Sequence, residues 1–360
     1  MTLSVSQAGS PPVNLVTGGA GFIGANVAER LCQLGQRVRL LDNLARSGVD
    51  ANIRWLEARH GSKVNLFRGD VSRFEDVFRA AQGVDRIFHC AAQVAVTSSI
   101  SDPVADFETN ARGTLNVVES ARWMRRPPAV LFTSTNKVYG SLTDLALQEG
   151  QTRYVPLDAR LRTRGVDEAQ ALAFHSPYGC SKGAAEQYVL DYARTYGIPA
   201  VVFRMSCIYG PRQLGTEAQG WVAHILRRTT QGKPVTLFGS GKQVRDLLYI
   251  SDLVDALMTA CERLPKVSGR VFNIGGGPQR SVSLLELLQT LPRSNNKEID
   301  VTFAEWRPGD QLYYVSDHSR FAQLTGWRPR VSIAEGLDHL HAWIRRDLQE
   351  RPGADEMLVG

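Results

Sequence analysis

Residues 13–24 read Val-Asn-Leu-Val-Thr-Gly-Gly-Ala-Gly-Phe-Ile-Gly, an apolar run that breaks into glycines and then reopens as an apolar, helix-forming stretch. The β-branched run predicts a strand over 13–17, and the spacing of apolar residues from Phe22 to Leu34 predicts a helix. The turn between them satisfies both GxxGxxG and GxGxxG. A glycine triplet alone is a weak signal. This one follows a strand and opens a helix, whose N-terminal amides can hold a pyrophosphate. It is also followed by Asp42, at the end of the next apolar run, RVRLLD. Asp42 can accept two hydrogen bonds from an adenosine ribose, and its charge repels a 2′-phosphate, so NAD is expected over NADP. Arg46 stands near enough to argue the other way. The expected cofactor contacts at this end are Gly18, Gly21, Phe22, Ile23, Gly24, Asp42 and Asn43.

Outward from that turn, short apolar runs alternate with helical stretches: VNLFRGD, a helix over 74–81, RIFHCAA, a long helix over about 104–125, AVLFTST, a helix over 177–196, and AVVFRM. Strands alternating with helices imply right-handed crossovers and a parallel, doubly wound α/β sheet. Asp70 and Val71 follow the third strand, and Ala91, Ala92 and Gln93 follow the fourth. All five then lie on the carboxyl edge that carries the glycine turn, where adenine and nicotinamide contacts are expected. After Met205 the rhythm breaks. The boundaries expected are a mobile leader over 1–12, a dinucleotide-binding domain over 13–205 plus 246–276, a smaller mixed α/β substrate domain over 206–245 plus 277–345, and a mobile tail over 346–360. The stretch 141–173 is long for a crossover and is expected to be a substrate-facing loop, its Arg153, Arg160, Arg162 and Arg164 either solvated or on phosphate.

The chemistry is expected in two places. Tyr178 and Lys182 stand four apart at the start of a helix, on one face, where an adjacent cation lowers a phenol's pKa toward that of a working base. Thr135, in TSTNKVYG at the tip of the neighbouring strand, adds a hydroxyl. A carbinol held between Thr135 and Tyr178 can lose a hydride to a nicotinamide. By chance alone YxxxK is surface decoration, and it gains weight only from the strand tip beside it.

At this point the chain resembles the extended short-chain dehydrogenase/reductase family of nucleotide-sugar-modifying enzymes, from about Val13 to Trp343. The resemblance implies a Rossmann domain, Thr135, Tyr178 and Lys182 as the catalytic triad, and a second contact of Tyr178 and Lys182 with the cofactor. It implies a nucleotide-diphosphate sugar as substrate, with Arg245 in GSGKQVRD and Arg307 in RPGD on the diphosphate, where the guanidinium fork suits phosphate. The alternative for the two arginines is surface pairing with Asp246 and Asp310. Dehydratases of this family carry carboxylates where this chain has Asn136 and Lys137, and uronate decarboxylases a Glu beside the Thr. Loss of water and decarboxylation are therefore not expected, and oxidation followed by reduction of one carbon is.

Within the family, TSTNKVYG, the block FHSPYGCSKG over 174–183 and QGWV over 219–222 are similar to the branch that inverts carbon 2 of a CDP-linked dideoxyhexose. That likeness places Asn136, Lys137, His175, Cys207, Gln219, Trp221 and Asp310 at the substrate. Lys137 serves equally as a structural partner of a carboxylate, and His175 as a packing or capping residue. Cys207 departs from the family's amide at that position. A UDP-hexose 4-epimerase uses the same triad with the sugar seated differently. A non-catalytic descendant that binds NAD or RNA would be marked by loss of Tyr178 or Lys182, and both are present. The resemblance also implies a homodimer through the helices over 104–125 and 177–196.

The 42 Lys and Arg against 36 Asp and Glu give +6, spread along the chain, which suits an anionic small ligand as well as a nucleic acid and gives no nucleic-acid footprint. Five cysteines without a CxxC pair predict neither zinc nor a disulfide framework, and so a reducing, cytoplasmic setting with no metal. The first twelve residues lack the basic and apolar regions of a signal peptide and no apolar run reaches the ~20 residues a bilayer needs, so no membrane partner is expected.

Overall fold

A computed structural model describes residues 11–291 and 299–351. Seven parallel strands form the main sheet: β1 (Val13–Thr17), β2 (Arg37–Asp42), β3 (Val64–Arg68), β4 (Arg86–His89), β5 (Ala129–Thr135), then Ala200–Met205 and Arg270–Ile274. Their spatial order, Arg270–Ile274, Ala200–Met205, β5, β4, β1, β2, β3, reverses direction between β1 and β4. Such a switch point opens a crevice at the carboxyl edge. The strands are covered on both faces and read as continuous apolar runs for that reason; β5 is buried at all seven positions.

Helix α1 (Phe22–Gln33) lays Val27, Ala28 and Leu31 on one face of the sheet, all fully buried. Burial of a side chain the size of Leu31 contributes about 1.5–3 kcal/mol. The opposite face packs under Gly113–Arg122 and the long helix Ser176–Tyr196.

The expected helix over 104–125 is broken. Val96–Ser101 and Pro103–Phe107 are followed by a five-residue π-helical turn, Glu108–Arg112, and then Gly113–Arg122. Asn110 supplies the reason, because its amide and carbonyl oxygen are committed to Gln93 and Ser181 outside the helix. A widened turn that satisfies side-chain bonds of this kind is a recurrent feature of functional helices. Gly113 next to it is required by close approach: a Cβ there would sit 2.8 Å from Val71 Cγ2.

The second sheet is assembled from distant segments. Strand Val244–Tyr249 pairs with Cys207–Tyr209, Ser281–Ser283 and Tyr313–Tyr314. Residues 246–249 therefore belong with the smaller sheet, and the chain rejoins the dinucleotide sheet at the helix Ile250–Glu262, packed against α1, rather than at Asp246. The tail also departs from expectation. Arg346–Glu350 complete the helix Ile333–Glu350, where Asp347 is buried and pairs with Arg227. The leader through residue 10 and the tail beyond Arg351 lie outside the described residues.

The stretch 141–173 is not a substrate loop. It forms the hairpin Leu147–Glu149 with Tyr154–Pro156 and the short helix Ala159–Arg164. Its four arginines are engaged within the protein: Arg153 on Glu286, Arg160 on Asp167, Arg162 on the carbonyls of Pro156 and Leu157, Arg164 on Asp317. The segment buttresses the smaller sheet.

Candidate active site

The glycine turn is held from below. Gly18 has φ +65°, and a Cβ on it would lie 2.7 Å from the Ala91 amide nitrogen; a Cβ on Gly24 would lie 2.2 Å from Gly18 O. Only glycine allows this approach of the β1 turn to the β4 turn. Helix α1 then begins with no capping side chain and no acidic residue in its first turn, leaving its amides free for an anion. The Asp42 carboxylate accepts from the Ala20 and Leu44 amides at 2.9 and 2.8 Å, which fixes it at the rim, and burial raises its pKa. Asn43 donates to Asp70 at 2.8 Å. Val71 is buried against Gly113, and the Gln93 amide is fixed by Asn110 while its own Oε1 is buried without a partner. Ala91 and Ala92 line the turn between them. The cradle, the open helix start and the orphan oxygen suit a dinucleotide. Arg46 donates to Leu214 O at 2.6 Å.

Thr135, Tyr178 and Lys182 converge at the tip of β5, all buried. Lys182 Nζ donates to Thr133 O at 2.6 Å and lies 4.1 Å from the Phe132 ring centroid. One turn further along the helix, Glu186 is fully buried and accepts from Arg204, at 3.1 and 3.2 Å from Nε, and from Ser134 Oγ at 2.9 Å. Asp106 and Asn110 hold Ser181 between the two functional side chains. Neither was singled out from the sequence; the glycine inside the helix at 113 was the available sign that this helix is pressed against the site.

Desolvation works against the lowering expected of the phenol. Burial pushes Tyr178 up to about 12, against which the Thr135 hydroxyl pulls down, and burial pushes Lys182 down to about 7. Spacing along a helix brings a cation near the phenol but says nothing of how dry the pair is, and here desolvation wins.

A cavity of about 320 Å³ runs from this tip to the smaller sheet. It is lined by Phe22 and Ile23, by Thr135 and Tyr178, and by all the residues expected at the substrate except His175. His175 is exposed, makes no capping bond to the helix it precedes, and rests against Gly309. Asn136 Nδ2 donates to Gln311 Oε1 at 3.0 Å, and Lys137 Nζ to Gly309 O at 3.0 Å, with Asp310 at 3.7 Å. Arg245 is buried 3.9 Å from Asp310. Its neighbour Asp246 points to the other face, where it takes Ser206, Ser316 and the Gly277 amide, so the two do not pair. Arg307 lies 3.6 Å over the Phe238 ring. Lys137, Arg245 and Arg307 share the cavity lining with the carboxylates of Asp310 and Glu217, three cations to two anions, a surplus that suits an anionic ligand. Trp221 Nε1 donates to Cys207 Sγ at 3.4 Å on the same wall, and Gln219 stands at its mouth.

Residues 14–275 match the NAD dependent epimerase/dehydratase family. The chain belongs to that family. It is 40% identical over 336 residues to the CDP-paratose 2-epimerase of Salmonella typhi, covering 91% of this chain and 98% of that one. Among solved structures it is similar to the UDP-glucose 4-epimerase of Thermus thermophilus in complex with NAD, with a TM-score of 0.76, 33% identity and cover of 92% and 99%. The UDP-glucuronic acid 4-epimerase of Bacillus cereus, in complex with UDP-glucuronic acid and NAD, gives a TM-score of 0.79 at 27% identity, with cover of 93% and 99%. As a member of the epimerase/dehydratase family, the chain is an enzyme of nucleotide-sugar chemistry with NAD as cofactor. Among the described residues no helix is long and apolar enough to cross a membrane.

Proposed function

We propose that this enzyme inverts carbon 2 of a CDP-linked dideoxyhexose of the paratose type, with NAD retained through the turnover. The observation that carries an epimerase over a dehydratase is the pair of side chains beside Thr135. Asn136 is tied to Gln311 and has no proton to exchange, and Lys137 is tied to Gly309 O, so neither position beside Thr135 offers a carboxylate to expel water. The likeness to the Salmonella enzyme supports carbon 2 and the cytidine nucleotide.

Gly18, Gly21, Phe22, Ile23 and Gly24 at the helix start and Asp42, Asn43, Asp70, Val71 and Ala91 to Gln93 along the edge would hold NAD, which would supply the hydride acceptor and donor and, when oxidised, a positive charge that favours phenolate. Tyr178 takes the proton of the sugar hydroxyl as the hydride leaves, and Thr135 donates to the same oxygen. Lys182 supports the phenolate and the cofactor ribose. Arg245 and Arg307 hold the diphosphate while the keto sugar turns over between them and Thr135, and Tyr178 returns its proton after reduction from the other face. Trp221 and Cys207 form a wall poor in hydrogen-bond donors, which suits a deoxygenated ring.

The reading includes a homodimer. Val104 (69% exposed), Phe107, Trp123 (65%), Tyr188 and Tyr196 stand out on the two helical stretches expected to pair. It also includes a reducing, cytoplasmic setting, consistent with five free cysteines.

The test is an NMR time course with CDP-paratose in deuterated water and no added cofactor. Inversion at carbon 2 without solvent deuterium in the product is expected. Inversion of UDP-glucose at carbon 4 with CDP-paratose untouched would replace this reading with the 4-epimerase.

A further inference from the structure

The segment 211–220 leaves the smaller sheet after Cys207–Tyr209 and crosses the dinucleotide half before returning as the helix Trp221–Thr230. It is fastened there by four residues, Asn26, Arg46, Gly48 and Trp55. Asn26 of α1 donates to Pro211 O at 3.2 Å. Arg212 lies 3.9 Å over the Trp55 ring of α2 (Asp50–His60). Leu214 is buried with its Cδ1 against Gly48, and Arg46 donates to Leu214 O at 2.6 Å while reaching Gln219 Oε1 at 3.4 Å from both terminal nitrogens. The fastening carries strain, since Arg212 has φ +74°, a left-handed conformation costly for a residue with a Cβ.

The same ten residues have a second face. Gln213 and Glu217 to Gly220 line the cavity, and Glu217 O accepts from Arg307 at 2.8 Å. Arg46 sits four residues beyond Asp42 on the loop that leaves the cofactor rim. One short segment thus connects an arginine of the cofactor loop to an arginine of the anion wall.

We propose that Arg46 is a positioning residue that fastens segment 211–220 as a strap across the dinucleotide, so that NAD leaves only when the strap lifts and a nucleotide diphosphate on the other face slows that lifting. The proposal deepens the nucleotide-sugar reading above but does not depend on which sugar or carbon is involved. Arg46 acts through the backbone of Leu214 and the side chain of Gln219, and coupling of this kind is reciprocal, so loss of the tie weakens both ligands.

The experiment follows release of bound NAD from the purified full chain, by filtration and quantitation of the retained nucleotide, with and without CDP or UDP as probes. For the unaltered enzyme, either nucleotide diphosphate slows release. Arg46→Ala is expected to release NAD faster by on the order of tenfold, the effect of losing one or two charged hydrogen bonds, and the nucleotides no longer slow it. Its KM for substrate rises while kcat under added NAD holds, and Arg46→Lys, which can still reach Leu214 O, recovers part of the retention. Arg212→Ala, which removes the stacking on Trp55 and leaves the left-handed backbone in place, is the second variant, and it too is expected to release NAD faster. Unchanged release in both alanine variants, or slowing by CDP that survives Arg46→Ala, overturns the proposal. So does an unaltered enzyme whose release no nucleotide diphosphate affects. None of these outcomes bears on whether CDP-paratose is inverted, so the substrate reading stands or falls separately.

Discussion

On the sheet side of the cleft, Gly18, Gly24 and Ala91 meet in a space set by backbone alone, whereas on the opposite side Lys137, Arg245, Arg307 and Asp310 arrive on side chains from three separate stretches of the chain. The first construction tolerates no added atom at its closest points. The second spreads its grip over several cations, each of which can be lost with the others still in place. A difference of that kind predicts brittle failure on one side and graded failure on the other.

The sharpest break is expected where both sides deliver to one atom. Tyr178→Phe should lower turnover by on the order of 10³-fold while leaving NAD bound, because it removes only the proton carrier; the two quantities are read by substrate NMR and by nucleotide content. Gly24→Ala comes next. Its methyl would be driven into Gly18 O, so the protein should purify without NAD, and retention of a full complement would refute the view of the turn as a rigid cradle. On the other side Arg245→Met should raise KM by about 10–100-fold with kcat altered far less, since Lys137 and Arg307 remain. A collapse of kcat instead would mean that the anion wall positions the reacting carbon as strictly as the sheet edge does.

The smallest effect is a matter of pH. Burial holds Lys182 at about 7, down from 10.5, in the ligand-free enzyme. Because the folded value lies below the unfolded one, the cost of burying the charge is fully present below about pH 7 and fades as pH climbs toward 10.5. Cofactor-free Lys182→Met should therefore melt above the parent at pH 7, with the gap closing as pH rises. A gap constant with pH would place the lysine in a wetter site than its burial implies.

The same contrast explains what the sequence disclosed. Strands β1 to β5 and the glycine turn are local patterns, so their bounds and their place on one edge were legible. Thr135 and the Tyr178 helix were legible as neighbours because adjacent strands of a doubly wound sheet deliver their ends to one line. The interrupted helix around Asn110 was not, because its widened turn answers to Gln93 and Ser181, which are distant in the chain. Nor was the use of Arg153 and Arg164, whose partners Glu286 and Asp317 lie more than a hundred residues on. His175 shows the opposite error, since proximity in sequence to Tyr178 did not bring it into the cavity. The desolvation of Tyr178 was not legible either, since solvent access is a property of the whole fold.

The buried pair of Glu186 and Arg204 has a consequence for motion. Glu186 joins Tyr178 and Lys182 on one stripe of their helix and is bolted to two strands of the main sheet through Arg204 and Ser134, in a place where water cannot lubricate an exchange of partners. Rolling or sliding the helix would break those buried bonds, so it is expected to stay fixed between the removal and the return of a hydride. If both faces of one carbon are to be presented to the same fixed point, the workpiece has to turn on the bench. The time needed for that turn then belongs to the sugar and its diphosphate tether, and a bulkier ring should slow the cycle without any change in the chemistry at either end.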